Sequence, residues 1–327
     1  MRILFAGSPG IAVPSLGALA AMQIAGADIT VAGVLTNPDS PRGRSGKPEP
    51  TEVSAAAEEL SQKLERLGHS GIAQFKPETL GPEAREAAAG LKPDLLVSFA
   101  YKRIFGPKFL GIFPLGGINV HPSLLPKYRG ASPIPAAILN RDTETGISIQ
   151  SIAAEPDSGL IIAQERFPLQ DRETAATLSE RVAQKAGAML PAILEAIARN
   201  GITGTAQTGE VSYCALLSKA DGLIDWTLPA DAIDAQIRAY TPWPLARTAH
   251  RGQYLYLLTA EPYKNAGAFS GKAVPGGVLG TDKTAGILVQ TGRGVLGITR
   301  LQYQTKKALD WRTFLNGSRN FLEAVLG

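Results

Sequence analysis

The sequence predicts an α/β protein in two parts: a parallel sheet covered by helices on both faces, then a smaller all-β domain. Three observations carry the prediction. In the front half, strand-like apolar runs alternate with helix-like segments, the order expected of a doubly covered parallel sheet. One long amphipathic helix, Glu173–Asn200, closes that alternation. Beyond Pro244 the pattern changes to short alternating runs split by glycines, as in a small barrel or sandwich.

Taken in order, Arg2–Gly7 is an apolar run ended by Gly7-Ser8-Pro9-Gly10, so it reads as the first strand. Val13–Ala25 follows as a helix with Pro14 in its first turn, where a missing N–H is harmless. Ile29–Thr36 is β-branched and apolar, a second strand. Thr51–Leu67 is rich in Ala, Glu and Lys, and Thr51 stands where an N-cap belongs. Asp94–Ala100, Gly117–Val120 and Gly146–Ile152 are further short strands of the buried type. In Glu173–Asn200, Leu178, Val182, Met189, Ile193 and Ile197 fall near one stripe; Pro191 predicts a kink and Gly201 the stop. The Gly/Thr stretch Gly201–Gly209 reads as the start of a linker. Asp231–Tyr240 is one more helix, and Tyr254–Thr259, Gly277–Gly280, Gly286–Gln290 and Val295–Leu301 are strands of the small domain. The boundaries that follow are 1–204 for the front domain, 205–219 for a linker and 220–327 for the tail domain.

Composition bounds the rest. With 327 residues, 44% hydrophobic and 19% charged, the chain can bury two cores and is not of the disordered class. Its one cysteine, Cys214, excludes an internal disulfide and a Cys-clustered zinc site, and fits a reducing compartment. The opening Met1-Arg2-Ile3-Leu4-Phe5-Ala6-Gly7 is too short an apolar run for a signal peptide. Nothing approaches the roughly 20 apolar residues of a membrane span. A cytoplasmic protein with no membrane partner is expected. The net charge of +4 is unevenly spread: from Ala235 on, 12 Lys/Arg face four acids, so the tail carries +8 and the front −4. A basic tail suits a polyanion such as nucleic acid, and equally serves solubility.

One polar cluster is not required by the fold. Asn119-Val120-His121 reads as a strand end, and residues i and i+2 of a strand share a face. Asn119 and His121 therefore present an amide donor and a titratable imidazole to one point. Pro122-Ser123-Leu124-Leu125-Pro126 cannot continue a central strand, so the pair stands where the chain leaves the sheet. That is where open α/β sheets bind ligands. Such a pair can polarise a carbonyl and manage a proton, and a carboxylate further along could orient the ring. Asp157-Ser158-Gly159, taken alone, is an ordinary turn. Gly7-Ser8-Pro9-Gly10 lacks the third glycine of a dinucleotide fingerprint and reads as a plain strand-to-helix turn. Asn37–Glu52, with Arg42, Arg44 and Lys47, is either a surface excursion or a mobile basic loop closing over an anionic substrate. Lys306, Lys307 and Arg312 fit a solvated face as well as an anion-binding one.

The stretch Asn119-Val120-His121-Pro122-Ser123-Leu124-Leu125-Pro126-Lys127-Tyr128-Arg129-Gly130-Ala131-Ser132-Pro133-Ile134 resembles the active-site segment of the 10-formyltetrahydrofolate-dependent formyltransferases. The likeness runs nearly end to end. Phe5-Ala6-Gly7-Ser8-Pro9 with Ala12-Val13-Pro14-Ser15-Leu16 matches the family's opening, and Gly43-Arg44-Ser45-Gly46-Lys47 is similar to its basic loop. Asp142-Thr143-Glu144-Thr145-Gly146 and Asp157-Ser158-Gly159 follow in register. Leu217-Ser218-Lys219 and Pro242-Trp243-Pro244 resemble the members that act on tRNA and on sugars. Lys306-Lys307 with Phe314-Leu315-Asn316-Gly317 looks like the tail of those that act on tRNA.

The resemblance implies a Rossmann-like front domain and an OB-like β-barrel tail. It implies formyl transfer from 10-formyltetrahydrofolate, a co-substrate used without a metal, to initiator methionyl-tRNA. Asn119, His121 and Asp157 become the catalytic trio by resemblance. Ser123, Leu124, Leu125 and Pro126, with Phe99 and Tyr101, become folate contacts; Arg44, Lys47, Lys306 and Lys307 become tRNA contacts. A monomer is expected. The chain departs from the family's usual pattern at Lys102, Ala153, Glu155 and Leu160, along the expected folate pocket. Two rival readings remain: a formyltransferase for a small amine (an amino-sugar nucleotide or glycinamide ribonucleotide), and a non-catalytic folate- or RNA-binding module. A formate-releasing hydrolase uses a related domain.

Overall fold

The computed structural model describes residues 1–41, 46–269, 274–318 and 320–327. They gather into two compact units, one of residues 1–130, 144–168 and 179–214, the other of 131–143, 169–178 and 215–327.

The first unit is built on seven strands: β1 (Arg2–Ala6), β2 (Thr30–Leu35), β3 (Ala73–Phe75), β4 (Leu95–Phe99), β5 (Gly117–His121), β6 (Glu144–Ser151) and β7 (Ile161–Pro168). Their order across the sheet is β7-β6-β5-β4-β1-β2-β3. From β3 to β5 the pairing is parallel. The edge made by β6 and β7 is antiparallel, which the sequence did not reveal. Four helices connect the parallel strands: α1 (Val13–Ile24), α2 (Glu52–Arg66), α3 (Pro82–Gly90) and α4 (Pro107–Leu110). The chain steps outward from β1 first one way and then the other. Right-handed crossovers therefore lay α1 and α2 on one face and α3 and α4 on the opposite one. Ala88 of α3 and Phe109 of α4 accordingly pack with Leu4, Ala6, Leu35 and Leu96. Thr51 caps α2 as expected, its hydroxyl accepting from the Ser54 N–H at 3.1 Å.

Strands β3 and β7 escaped the sequence reading for different reasons. β3 has only three residues. In β7 the run Gln164-Glu165-Arg166 belongs to a strand whose outer positions meet solvent, so no apolar run marks it. A second departure matters more for the site. Gly201–Gly209, read as the start of a linker, is built into the first unit. Thr205 exchanges backbone hydrogen bonds with Ile161 (2.8 and 2.9 Å), and Tyr213–Cys214 pairs in parallel with Arg129–Gly130. Those partners lie far away in sequence, so a Gly/Thr composition gives no hint of them.

The long expected helix α6 (Ala175–Asn200) continues through Pro191 and from Ser179 on belongs to the first unit; the second unit holds α5 (Pro133–Leu139). Helix α7 (Ala230–Ala239), the strands β8 (Ala246–His250), β9 (Gln253–Pro262), β10 (Val278–Asp282), β11 (Gly286–Gln290) and β12 (Val295–Tyr303), and α8 (Trp311–Gly317) complete it. The strands form an antiparallel sheet in the order β8-β9-β12-β11-β10, with Leu309–Asp310 paired to β12. Ile233 and Ile237 of α7, Leu255, Ile287, Ile298 and Phe314 form its core around Trp226. The Trp226 indole N–H, buried there, donates to the Thr248 hydroxyl at 2.9 Å. Among the described residues, no helix is long and apolar enough to cross a membrane.

Candidate active site

The site begins as a match between two strands. β5 and β6 run antiparallel with Asn119 opposite Gln150 and His121 opposite Ser148. Between them Val120 and Ile149 turn to the other face and are buried. Period-two alternation thus puts four polar side chains side by side on one face. Ser148, Gln150 and His121 are nearly sealed, at 0, 2 and 4% exposure, so each needs partners for its polar atoms.

His121 Nε2 lies 2.8 Å from the Tyr128 carbonyl oxygen. A carbonyl only accepts, so that nitrogen carries the hydrogen and Nδ1 is left with its lone pair. Nδ1 faces Asp157 Oδ1 at 3.4 Å. Burial pushes the imidazole below its ordinary pKa, while the Asp157 carboxylate and the Tyr128 carbonyl pull the other way. Burial is the largest effect, so the ring is neutral at neutral pH and its open nitrogen is a base. The Asn119 side-chain amide stands 3.5 Å from the same carboxylate oxygen.

Asp157 occupies the loop between β6 and β7 with a left-handed φ of 56°. Its carboxylate is held by the Gly130 backbone N–H on Oδ2 (2.8 Å) and by the Gln150 amide on Oδ1 (3.0 Å). Gln207, from the segment read as a linker, donates to the carbonyl oxygens of Asp157 and Gly159, both at 2.9 Å. Gly159 admits no side chain: a Cβ there would stand 1.7 Å from the Ser151 carbonyl oxygen.

The exit loop 122–126 is fastened from the same strands. Ser148 Oγ donates to the Ser123 carbonyl (2.7 Å) and accepts from the Leu125 N–H (3.0 Å). Gln164 of β7 donates to the Leu125 carbonyl at 3.1 Å. The backbone of Ser123, Leu124, Leu125 and Pro126 is thereby fixed beside His121. Phe99 ends β4 next to Val120 and is buried. Gly7 at the end of β1 is a close-approach glycine, since a Cβ there would lie 2.8 Å from the Phe99 carbonyl oxygen. Tyr101 follows, stacked on Phe105 with ring centroids 5.4 Å apart. Burial pushes its phenol up in pKa against the lowering effect of Arg103.

The trio and the exit loop thus meet where β5 ends, with Phe99 at the end of the neighbouring β4. Lys47 is exposed beside the short ribbon of Ser40–Pro41 and Pro48–Glu49; Lys306 and Lys307 are exposed in the second unit. Arg44 lies outside the described residues. Of the departures from the family pattern, Leu160 and Glu155 are exposed, and Glu155 reaches Arg129 at 3.9 Å. Ser148, Gln150 and Gln207 were missed. The alternation Ile147-Ser148-Ile149-Gln150 could have exposed the first two; no local signal marks Gln207. No group of three His, Cys, Asp or Glu side chains among the described residues is arranged to hold a metal ion.

Residues 1–194 match the family model described as formyl transferase, and residues 216–319 match that of the formyl transferase C-terminal domain. The chain belongs to the formyl transferase family. It is 43% identical over 325 residues to the methionyl-tRNA formyltransferase of Treponema denticola, covering 99% of this chain and 98% of that one. To the methionyl-tRNA formyltransferase of Treponema pallidum it is 42% identical over 333 residues, covering 100% and 99%. Among solved structures, HypX from Aquifex aeolicus in complex with tetrahydrofolic acid superposes with a TM-score of 0.63 at 19% identity, over 99% of this formyl transferase and 48% of HypX. This chain thus spans about half the length of HypX. WlaRD, a sugar 3N-formyl transferase, superposes with a TM-score of 0.61 at 18% identity, over 94% and 99%. At such identities both likenesses concern the fold alone.

Proposed function

We propose that this formyl transferase moves the formyl group of 10-formyltetrahydrofolate to the α-amine of methionine on initiator methionyl-tRNA. The full-length likeness, at 43% and 42% identity, to relatives named for that acceptor carries the reading. The chemistry it needs is supported by an amide, a bare ring nitrogen and a carboxylate set close together, at 3.4 and 3.5 Å. The amine bonds to the formyl carbon, and the carbonyl electron pair moves onto oxygen. Asn119 donates to that oxygen as charge develops. His121 Nδ1 takes the proton shed by the amine, and Asp157 stabilises the resulting imidazolium. The oxygen's electron pair then re-forms the carbonyl as the bond from the formyl carbon to the folate nitrogen breaks, and the ring returns the proton to that departing nitrogen.

The fixed backbone of residues 123–126 and the aromatic ring of Tyr101 suit a flat folate ring; the Phe99 ring, assigned to the same pocket, is buried and presents no face to it. Lys47, Lys306 and Lys307, with Arg44, are assigned to tRNA phosphates, and the enzyme to the cytoplasm as a monomer. Incubation with 10-formyltetrahydrofolate and labelled methionyl-tRNA, followed by analysis of the esterified amino acid, should yield formylmethionine. Formylation of a small amine with none of the methionyl-tRNA modified would overturn the reading. Replacing Lys306 and Lys307 by alanine should weaken tRNA binding and lower the slope of log affinity against log salt by about one per lost phosphate contact.

A further inference from the structure

We propose that Gln150 and Gln207 are the positioning residues of this reaction, two amides that set the Asp157 carboxylate in front of His121 Nδ1. The proposal rests on the formyl-transfer reading above. Asp157 sits in a loop, and a loop carboxylate facing a catalytic ring must be held by something. The distances say by what. The contacts from Gly130 and Gln150 are 2.8 and 3.0 Å, whereas those to His121 and Asn119 are 3.4 and 3.5 Å. The former are well-made hydrogen bonds and the latter are long. The carboxylate is therefore placed by its anchors, which leaves the ring and the Asn119 amide available for a reacting group.

The two glutamines are also locked against flipping. Gln150 Oε1 accepts from the Gly159 N–H at 3.2 Å, so only its NH2 can face the carboxylate. Gln207 Oε1 accepts from Arg129 Nε and Nη2 at 3.1 and 2.7 Å, so its NH2 must face the carbonyl oxygens of Asp157 and Gly159. The same NH2 lies 3.3 Å from Gln150 Oε1. The two Gln207 N–H groups thus serve three acceptors, Gln150 Oε1 being the longest, and the side-chain donors run in one direction, from the Arg129 cation through two amides to the Asp157 carboxylate. Hydrogen bonds aligned in series polarise one another. Reversing either amide would set oxygen against oxygen or N–H against N–H. Gln207 reaches this place because residues 201–214 pair with Ile161 on one side and with Arg129–Gly130 on the other. That second pairing also sets the Gly130 N–H that holds Oδ2. The segment after the long helix is thus part of the site.

The test uses the full chain with Gln150→Met and Gln207→Met, which keep the side-chain length and remove the donors. Gln207→Asn is the milder companion, an amide too short to span the same gap. Formylation of methionyl-tRNA is measured as kcat and KM separately, together with the His121 titration by ring-nitrogen NMR and thermal melting. The methionine variants should lose about tenfold to hundredfold in kcat with KM for tRNA unchanged. The His121 titration should move to lower pH, because the carboxylate that favours its charged form drifts away. Gln207→Asn should show the same changes to a smaller degree. Folded variants with wild-type kcat and an unmoved His121 titration, whatever their melting temperature, would overturn the proposal. If the wild-type chain formylates no methionyl-tRNA, the acceptor reading fails on its own. The positioning roles are then decided by the His121 titration, which needs no substrate.

Discussion

His121 in the first unit and His250 in the second are both buried, and each is the last residue of its strand. Burial pushes both imidazoles below their ordinary pKa. Their neighbours differ. His121 is followed by a long exit loop, bonds a backbone carbonyl through one nitrogen and turns the other towards a carboxylate. His250 is followed by the tight turn Arg251-Gly252. Its Nδ1 meets the Tyr303 hydroxyl at 2.5 Å, and Phe321 lies edge-on to its ring at 4.9 Å. The charge felt by His250 is that of Arg251, which disfavours protonation; the charge felt by His121 is that of Asp157, which favours it. Burial alone does not make an imidazole useful. An opposite charge within reach and a nitrogen not spent on packing are what distinguish the first from the second.

Removing each ring in turn gives the largest expected difference. His121→Ala should lower kcat for formylation by about 10²–10³-fold, the loss typical of a group that acts on developing charge. His250→Ala should leave kcat close to wild type at temperatures where the protein is folded. It should instead cost about 2–4 kcal/mol of stability, from a cavity among aromatic rings and the loss of the bond to the Tyr303 hydroxyl. Kinetics at 25 °C and thermal melts on both variants read the contrast directly. Equal losses of kcat would break it.

Titration sharpens the same comparison. Both rings should titrate below about 6.5, the value of a free imidazole. The sign for stability follows from the depressed pKa. As pH falls through about 6.5 the unfolded chain takes up protons that the folded rings refuse, so stability declines towards acid pH. Asp157→Asn removes the charge that favours protonated His121, so that ring should titrate lower still while His250 stays put. Ring-nitrogen NMR on the wild type and on Asp157→Asn checks both statements; a rise at His121 would mean the carboxylate does not act on it.

The two histidines also measure how far a sequence speaks. Asn119 and His121 were legible because a strand's period of two and the following prolines are local facts. The same period was present in Ile147-Ser148-Ile149-Gln150, where two polar residues interrupt an apolar strand at alternate places and so had to face something polar. Asp157 could be attached to the pair only through the family resemblance, since Asp-Ser-Gly describes a turn and not its partner. Gln207 was out of reach: its contacts are to residues 48 to 78 positions away. In the fold, the continuous apolar strands and the Thr51 cap were local and legible. The antiparallel edge was not, because β7 carries charge on its outer positions, and strand direction depends on the connection rather than on composition.

The smallest effects come from two buried hydroxyls that occupy comparable places. Thr248 in β8 accepts from the Trp226 indole, and Ser148 in β6 fastens the exit loop through Ser123 and Leu125. Thr248→Val keeps the shape and strands one buried N–H, so it should cost about 1–2 kcal/mol of stability and leave the kinetic constants alone. Ser148→Ala strands backbone groups of residues that suit folate contact. A loop that loses part of its definition binds its ligand less well, so KM for the formyl donor should rise about fivefold, near 1 kcal/mol, with kcat less affected. Melting curves and donor titrations on the two variants separate the cases. If Thr248→Val raised the donor KM as much as Ser148→Ala does, hydroxyls in the two units would not differ in role, and the distinction drawn between the two histidines would lose its structural basis.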